Sequence, residues 1–355
     1  MVRSEYSVTF CRSLADAAAG SRETHCTQTG CTHLEGEVLM GIDVIPVEAT
    51  LGAEVLGVQL RSLDSEKFAQ VEEAFHQHGV LIFHEQHLSR EEQMAFGERF
   101  GDLEISDGRT SKRTAVGEPL VVEISNIDAY GNHITHRDHP LTRYMAGNEG
   151  WHTDSSYKPV AAKASILSAI EVTTEGGQTG YADMRAAYDA LTPEQQSELE
   201  GLQVWHSVDY AQASVGATDV TPPEDPTTMR GAWHPLVSRH PATGRRSLFI
   251  GRHASMIAGM DVTEGQELLA ELLREACQPP RIYSHKWQVG DVVIWDNRCM
   301  LHRATEWDLA ERRVIRHVRI GGDPADSYHN PDAAKTPRIV DDSDFVIPSE
   351  GARMG

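Results

Sequence analysis

The stretch Gly150-Trp151-His152-Thr153-Asp154-Ser155-Ser156-Tyr157 decides how the rest of the chain is interpreted, because it places a histidine and a carboxylate two residues apart. Side chains at positions i and i+2 of an extended strand face the same side, so His152 and Asp154 are expected to converge. One further histidine would complete the two-histidine, one-carboxylate set that binds non-heme Fe(II). The His-x-Asp pair alone is a weak signal, since it is common in proteins without a metal.

A second stretch supplies the missing histidine. Residues 290–302 have the pattern of a turn, an apolar strand and a second turn, and they end on His302. Arg313 follows eleven residues later, inside another strand-like segment. A buried arginine needs an anionic partner, and its planar fork fits a carboxylate. We therefore predict that His302 completes the metal site and that Arg313 binds a dicarboxylic acid.

With these motifs in this order and spacing, the chain resembles the Fe(II)/2-oxoglutarate-dependent dioxygenases of the taurine dioxygenase family. Within that family it is most similar to the 2,4-dichlorophenoxyacetate and phenoxypropionate dioxygenases, which act on aryloxyalkanoates. The resemblance covers about residues 41–322. It is carried by Trp151–Asp154, Gly176–Thr179, Ala182–Leu191, Trp295–Arg298 with His302, and Arg312-Arg313.

The resemblance implies an enzyme with three catalytic metal ligands, His152, Asp154 and His302, which bind Fe(II). Thr179 and Arg313 are expected to bind the distal carboxylate of 2-oxoglutarate, the co-substrate that is consumed with O2 to give succinate and CO2. Halogenating relatives have a small residue at the position of Asp154, so its carboxylate favours hydroxylation. Trp295 is expected either to lie beside the metal and exclude water or to be an ordinary core aromatic residue.

The substrate is expected to be a small carboxylate-bearing anion, and the first candidate is an aryloxyalkanoate that is hydroxylated beside its ether oxygen and then cleaved. His317 stands where relatives have an arginine that binds the substrate anion, and it would bind less firmly and in a pH-dependent way. Arg316 would point to the other face of the strand. Asn148 matches a substrate-side position, or is a turn residue. Alternatives are a sulfonate-directed or natural-product dioxygenase with the same iron site, or a non-catalytic jelly-roll metal binder.

Many short strands, an αβ flank and helices in long inserts predict an α+β, mainly β protein built on a jelly roll. The resemblance specifies a cupin-like double-stranded β-helix with flanking helices. We expect three regions: a disordered N-terminal extension over 1–40, a single dioxygenase domain over 41–322, and an acidic, Pro-containing tail over 323–355. The long polar connection over 126–149 is interpreted as a substrate cover.

Local signals place several elements. Asp64 is predicted to cap a helix that runs to about Gly79, and Ser89 begins a capping box. Thr263 is predicted to cap a later helix. Residues 202–210 are predicted as a strand, and residues 235–250 as a β-hairpin.

Composition excludes several classes of protein. The formal charge is −21, with 53 acidic and 32 basic residues and no basic patch, so nucleic-acid binding is not expected. No apolar run is long enough to cross a membrane, and no secretory signal is evident. Five cysteines without a C-x-x-C motif indicate a reduced, cytoplasmic protein. We also expect a homo-oligomer, a dimer or larger.

Overall fold

The computed structural model describes residues 41–105, 120–128 and 130–325. The predictions for residues 1–40, and for nearly all of the tail after residue 322, lie outside this part of the chain. The strands of the described residues are β1 (Asp43–Pro46), β2 (Ala53–Leu56), β3 (Val80–Phe83), β4 (Val121–Ser125), β5 (Ala164–Glu171), β6 (Thr179–Asp183), β7 (Gln203–His206), β8 (Ala232–Pro235), β9 (Val237–Arg239), β10 (Arg246–Leu248), β11 (Ala254–Ile257), β12 (Ile282–His285), β13 (Val292–Asp296), β14 (Met300–Ala304) and β15 (Val314–Ile320).

Helices flank the strands. The α-helices are α1 (Ser65–His78), α2 (Arg90–Glu98), α3 (Pro140–Ala146), α4 (Met184–Asp189), α5 (Pro193–Leu199), α6 (Val208–Ser214) and α7 (Val262–Ala276). Short 3-10 turns occupy Leu60–Ser62, Gly147–Glu149 and Pro226–Thr228. None of the helices in the described residues is long and apolar enough to span a membrane.

One large sheet has the strand order β1-β2-β3-β13-β5-β15-β4, and a second sheet has the order β12-β6-β14. Alternate residues of the large sheet serve its two faces. Ile166, Ile294 and Val318 pack on the side of α1 and α2 with Phe75 and Phe96. The side chains at the intervening positions point to the other face of the large sheet and pack against the second sheet. There a buried cluster joins Leu167, Val293, Trp295 and Ile315 to Tyr181 and Met300. The candidate metal ligands lie at this junction between the two sheets.

The predicted starts of the first two helices are confirmed. The carboxylate of Asp64 accepts the backbone N–H of Lys67, and α1 is followed by Gly79 at φ 72°, a left-handed conformation that glycine adopts without steric cost. Ser89 and Glu92 form the predicted capping box of α2. The hairpin is confirmed as well, since β9 and β10 pair antiparallel.

Two local predictions were wrong. Asp261, and not Thr263, caps α7, because its carboxylate accepts the N–H groups of both Thr263 and Glu264. The strand predicted over 202–210 ends at His206, because Ser207 accepts the N–H of Tyr210 and begins α6. At the level of class the fold is the predicted one, mixed and mainly β, with helices at its margins.

Candidate active site

Backbone hydrogen bonds bring two of the predicted ligands together. The N–H of His152 donates to the carbonyl of His302 and the reverse bond is also made, both at 2.9 Å. The ring centres lie 4.1 Å apart. His302 lies in the middle of β14, and not in the turn that the sequence predicted. His152 is in an isolated bridge rather than a regular strand, so the partner strand, and not a strand of its own, sets its position.

Asp154 completes the group. One ligand atom from each of His152, Asp154 and His302 lies within 4.8 Å of the others, and all three residues are buried. Nε2 of His302 is 3.8 Å from Oδ2 of Asp154. Nδ1 of His152 donates to the carbonyl of Gly150 at 2.8 Å, which leaves the lone pair of Nε2 for a metal.

The protonation states of the three residues suit a metal site. Burial lowers the pKa of both His152 and His302, so the two imidazoles are neutral at pH 7. Burial alone would raise the pKa of Asp154, but His302 and His317 outweigh it and hold that pKa well below its usual range. Neutral imidazoles and an ionised carboxylate are the forms that bind Fe(II).

A chain of hydrogen bonds holds the carboxylate of Asp154. Ser165 donates to its Oδ2 at 2.6 Å, and Nδ2 of Asn297 donates to Oγ of Ser165 at 2.9 Å. Nε1 of Trp295 donates to Oδ1 of Asn297 at 2.9 Å. Trp295 is fully buried, and its ring centre lies 4.5 Å from that of His302. Trp295 is therefore a core residue that also lies beside the candidate site, and its role in excluding water stays a prediction.

A second buried group, His240, Asp296 and Cys299, also has ligand atoms within 4.8 Å of one another. Its carboxylate already has partners. Nε and Nη2 of Arg298 donate to the two oxygens of Asp296 at 2.8 and 2.7 Å, and Nε2 of His240 donates at 2.9 Å. This arrangement is a buried ion pair, in which Arg298 already neutralises the carboxylate of Asp296.

The three candidate metal ligands open on a cavity of about 100 Å³. Alternate residues of β15 and the residue before it line this cavity: Arg313, Ile315, His317 and Arg319. Arg316 points the other way, as its position in the strand predicts, and donates to the carbonyl of Leu88 at 3.0 Å. Apolar and aromatic walls come from Val122, Ile124, Leu167, Val208 and Trp295.

Arg313 and Thr179 both line the cavity. Nε and Nη2 of Arg313 donate to the carbonyl of Gly177 at 3.2 and 3.0 Å. No carboxylate of the described residues pairs with this buried arginine. Burial lowers the pKa of Arg313 to about 10, so the guanidinium is still charged at neutral pH. Oγ1 of Thr179 accepts the indole N–H of Trp287 at 3.0 Å, which leaves its own hydroxyl hydrogen to donate elsewhere.

The two predicted substrate residues also line the cavity. Asn148 lies in the 3-10 turn after α3. The ring of His317 stacks on Trp295 with ring centres 6.0 Å apart, and its Nε2 is 3.3 Å from Oδ2 of Asp154. His317 therefore faces the candidate metal ligand Asp154 as well as the cavity.

Sequence reasoning missed Arg252. This arginine lines the cavity and donates from Nη2 to the carbonyl of Ala211 at 3.2 Å. No carboxylate of the described chain pairs with it, and burial lowers its pKa to about 10. The only signal in the sequence is an arginine two residues after the apolar run 248–250. That signal does not distinguish a cavity residue from a surface residue.

Comparison with known proteins agrees with this geometry. The model of the family "Taurine catabolism dioxygenase TauD, TfdA family" matches residues 43–319. An (S)-phenoxypropionate/alpha-ketoglutarate-dioxygenase of Sphingobium herbicidovorans is 44% identical over 292 residues, 80% of this chain and 96% of that protein. An alpha-ketoglutarate-dependent 2,4-dichlorophenoxyacetate dioxygenase of Cupriavidus pinatubonensis is 40% identical over 79% of this chain and 97% of that protein.

Among solved structures, AAD-2 in complex with Mn(II) and N-oxalylglycine is similar, with a TM-score of 0.73 and 36% identity, covering 82% of this chain and 99% of that one. The chain is thus an α-ketoglutarate-dependent dioxygenase, an oxidoreductase that uses Fe(II), 2-oxoglutarate and O2. It belongs to the TauD/TfdA family.

Proposed function

We propose that His152, Asp154 and His302 bind the Fe(II) and that Arg313 and Thr179 bind the distal carboxylate of 2-oxoglutarate. The observation that carries this assignment is the buried group of two neutral imidazoles and one ionised carboxylate, within 4.8 Å of one another. The charged Arg313 supports it independently, because a buried cation without a carboxylate partner is costly unless a ligand supplies the anion.

The residues divide the work of the reaction. When bound, Fe(II) supplies the oxidation of a C–H bond at the expense of 2-oxoglutarate and O2. Arg313 orients the co-substrate through paired hydrogen bonds, and Thr179 adds a hydroxyl donor. Trp295 and the apolar walls exclude water, which strengthens the electrostatic contacts of the bound anions. Ser165 and Asn297 keep the carboxylate of Asp154 in one orientation.

We propose that the substrate is a small carboxylic acid with an apolar or aromatic group, such as an aryloxyalkanoate. Arg252 and His317 are the candidate anion-binding residues, since both line the cavity beside Asn148. Arg252 is charged across the neutral pH range, whereas His317 also faces Asp154. The apolar walls would contact the aryl group. The relatives named above act on phenoxypropionate and 2,4-dichlorophenoxyacetate.

We propose that residues 140–149 cover the substrate. Ligand sites usually enclose about 300–1,000 Å³, whereas this cavity is about 100 Å³. A larger cavity of about 330 Å³ lies on the other side of the same segment, lined by Met145, Gly147 and Glu149. Gly147 of this segment packs closely against two residues of the smaller cavity, since a Cβ there would lie 2.5 Å from Oε1 of Gln212 and 2.8 Å from Nη1 of Arg252. A shift of this segment would enlarge the space above the metal.

The test is anaerobic reconstitution with Fe(II) and 2-oxoglutarate, followed by titration with aryloxy acids, alkylsulfonates and amino acids. We expect a visible charge-transfer band that shifts with an aryloxy acid, and release of succinate and of the corresponding phenol when O2 is admitted. A shift only with sulfonates or amino acids would overturn the proposed substrate class. No band at all would overturn the proposed iron and co-substrate residues.

The finer architecture is part of the same proposal. The packing of the large sheet against β12-β6-β14 supports a double-stranded β-helix, with residues 41–322 as one catalytic domain. We further propose a cytoplasmic homo-oligomer. Light scattering on the full chain, at several concentrations, tests the assembly, and a monomer at all concentrations would contradict it.

A further inference from the structure

We propose that Glu104 is a positioning residue for Asp154 and that it acts through Ser155. This inference rests on the proposed metal ligands. Ser155 follows Asp154 directly and has φ 55°, in the left-handed region that residues with a Cβ rarely adopt. It is buried, with 1% of its surface exposed. The chain therefore turns sharply, in a strained conformation, one residue after a metal ligand.

The strain has a specific counterpart. Oγ of Ser155 donates to Oε1 of Glu104 at 2.6 Å, a short bond to a charged acceptor. A non-glycine residue in the left-handed region persists only where its surroundings hold it, and such residues concentrate at functional sites. Nη1 of Arg319 donates to the same hydroxyl at 3.5 Å, so the bond to Glu104 is the shorter of the two contacts that hold the Ser155 side chain.

Glu104 is itself fixed, so it can serve as an anchor. Its backbone N–H donates to the carbonyl of Arg319 at 2.8 Å, and the preceding Leu103 forms a bridge with Ile320. Its carboxylate also accepts a hydrogen bond from Nζ of Lys158 at 3.0 Å and forms an ion pair with Nε of Arg319 at 3.5 Å. The anchor is therefore attached to β15, the strand that also carries His317.

Two independent constraints then act on the metal ligand. Ser165 holds the carboxylate of Asp154, and Glu104 holds the backbone turn that begins immediately after it. Loss of the Ser155 hydroxyl would free this turn and let the carboxylate move relative to His152 and His302. Glu104 also pairs with Arg319, a residue of the cavity wall, which leaves Arg252 and Arg313 as the cations for anionic ligands.

Ser155→Gly and Ser155→Ala provide the test. Glycine adopts φ 55° without strain, so Ser155→Gly removes the hydroxyl and the Cβ but leaves the backbone free to keep the turn, whereas Ser155→Ala removes the hydroxyl alone. We expect the dissociation constant for Fe(II), measured by anaerobic titration in the presence of 2-oxoglutarate, to rise about 10–100-fold in both variants, the range typical of partners of metal ligands. Glu104→Gln keeps an acceptor but not the charge, and it should weaken binding about tenfold.

Wild-type affinity in Ser155→Gly would overturn the proposal, because it would mean that only the backbone conformation matters. Glu85→Gly is the matched control, since Glu85 is exposed, has φ 56° and lies outside the cavity lining. It should leave the Fe(II) affinity unchanged. His152→Ala distinguishes failure of the proposed metal ligands from failure of the role of Glu104. If His152→Ala retains the Fe(II) affinity of the wild type, the ligand assignment fails. If His152→Ala abolishes Fe(II) binding and Ser155→Gly does not weaken it, only the role of Glu104 fails.

Discussion

The guanidinium of Arg313 lies 5.0 Å from the centre of the Trp307 ring, and its two donors to Gly177 fix its plane. The backbone N–H of Arg313 donates in turn to Oδ1 of Asn126 at 3.0 Å. The ring of Trp307 and the carbonyl of Gly177 therefore orient the guanidinium, and Asn126 holds the backbone of the same residue. No carboxylate of the described residues compensates the charge of this cation. Such a preorganised cation loses little conformational freedom when it binds a carboxylate.

Replacement of Arg313 by methionine should raise the KM for 2-oxoglutarate about 100-fold or more, because a buried, hydrogen-bonded ion pair would be lost. The affinity of the resting site for Fe(II) should stay unchanged. Arg312→Met is the matched control, since Arg312 is exposed and pairs with Glu171 on the surface. Equal KM values for the two variants would contradict the assigned role of Arg313.

The wild-type chain should bind one Fe(II), and His302→Ala should bind none with useful affinity. Metal content after dialysis, measured by elemental analysis, distinguishes the two. Cys299→Ala is the control from the second buried group, where Arg298 already occupies the carboxylate of Asp296. Cys299→Ala should retain one Fe(II) per chain. A fall in its metal content would mean that the ion binds the group of His240, Asp296 and Cys299 instead.

Arg252→Met should raise the KM for an aryloxy acid by about tenfold to 100-fold, because the partly buried cation proposed to bind the carboxylate of the substrate would be lost. The charge-transfer band with 2-oxoglutarate should be unchanged, since Arg313 is intact. Arg316→Met is the control, because Arg316 donates to Leu88 on the opposite face of β15. If only His317→Ala affects the KM, the anion contacts His317 and Arg252 has a structural role.

His206→Phe should make the protein less sensitive to acid. Burial, with His234 as a second cause, holds the pKa of His206 well below its usual value, and the backbone of Phe249 opposes this shift without outweighing it. Above about pH 7.5 the histidine is neutral in both the folded and the unfolded chain, so its protonation does not change the free energy of unfolding. As the pH falls through about 6.5, only the unfolded chain takes up the proton, and stability is lost.

The variant should therefore lose about 1 kcal/mol less per pH unit between pH 6.5 and 5. Urea unfolding at several pH values measures this slope. Phenylalanine fits beside Phe249, whose ring centre is 5.1 Å from that of His206. A slope identical to that of the wild type would mean that His206 is protonated in the folded state.

The residues that chemistry requires could be predicted from the sequence, and their surroundings could not. His152, Asp154, His302 and Arg313 belong to motifs with a fixed order, and the structure brings them to one cavity. Arg252 belongs to no such motif. Its significance is its lack of a carboxylate partner, which depends on which elements pack around it. A pairing of this kind joins positions far apart in the chain, and periodicity carries no information about it.

The local errors have the same origin. Asp261 and Thr263 are both good capping residues two positions apart, and the helix begins at whichever side chain reaches the free N–H groups. Residues 202–210 are apolar enough for a strand throughout, but the Ser207 hydroxyl competes for backbone donors and starts α6. Tertiary contacts choose between such near-equal alternatives.

The paired backbone bonds between His152 and His302 join positions 150 residues apart in the chain. The spacing of the two imidazoles is consequently inherited from main-chain geometry, which side-chain replacement elsewhere in the cavity does not alter. Positions 148, 252 and 317, the proposed substrate contacts, can then diversify while the two imidazoles keep their spacing. A scaffold of this kind lets new substrates be acquired by changes in the walls alone, which makes it a favourable starting point for directed evolution.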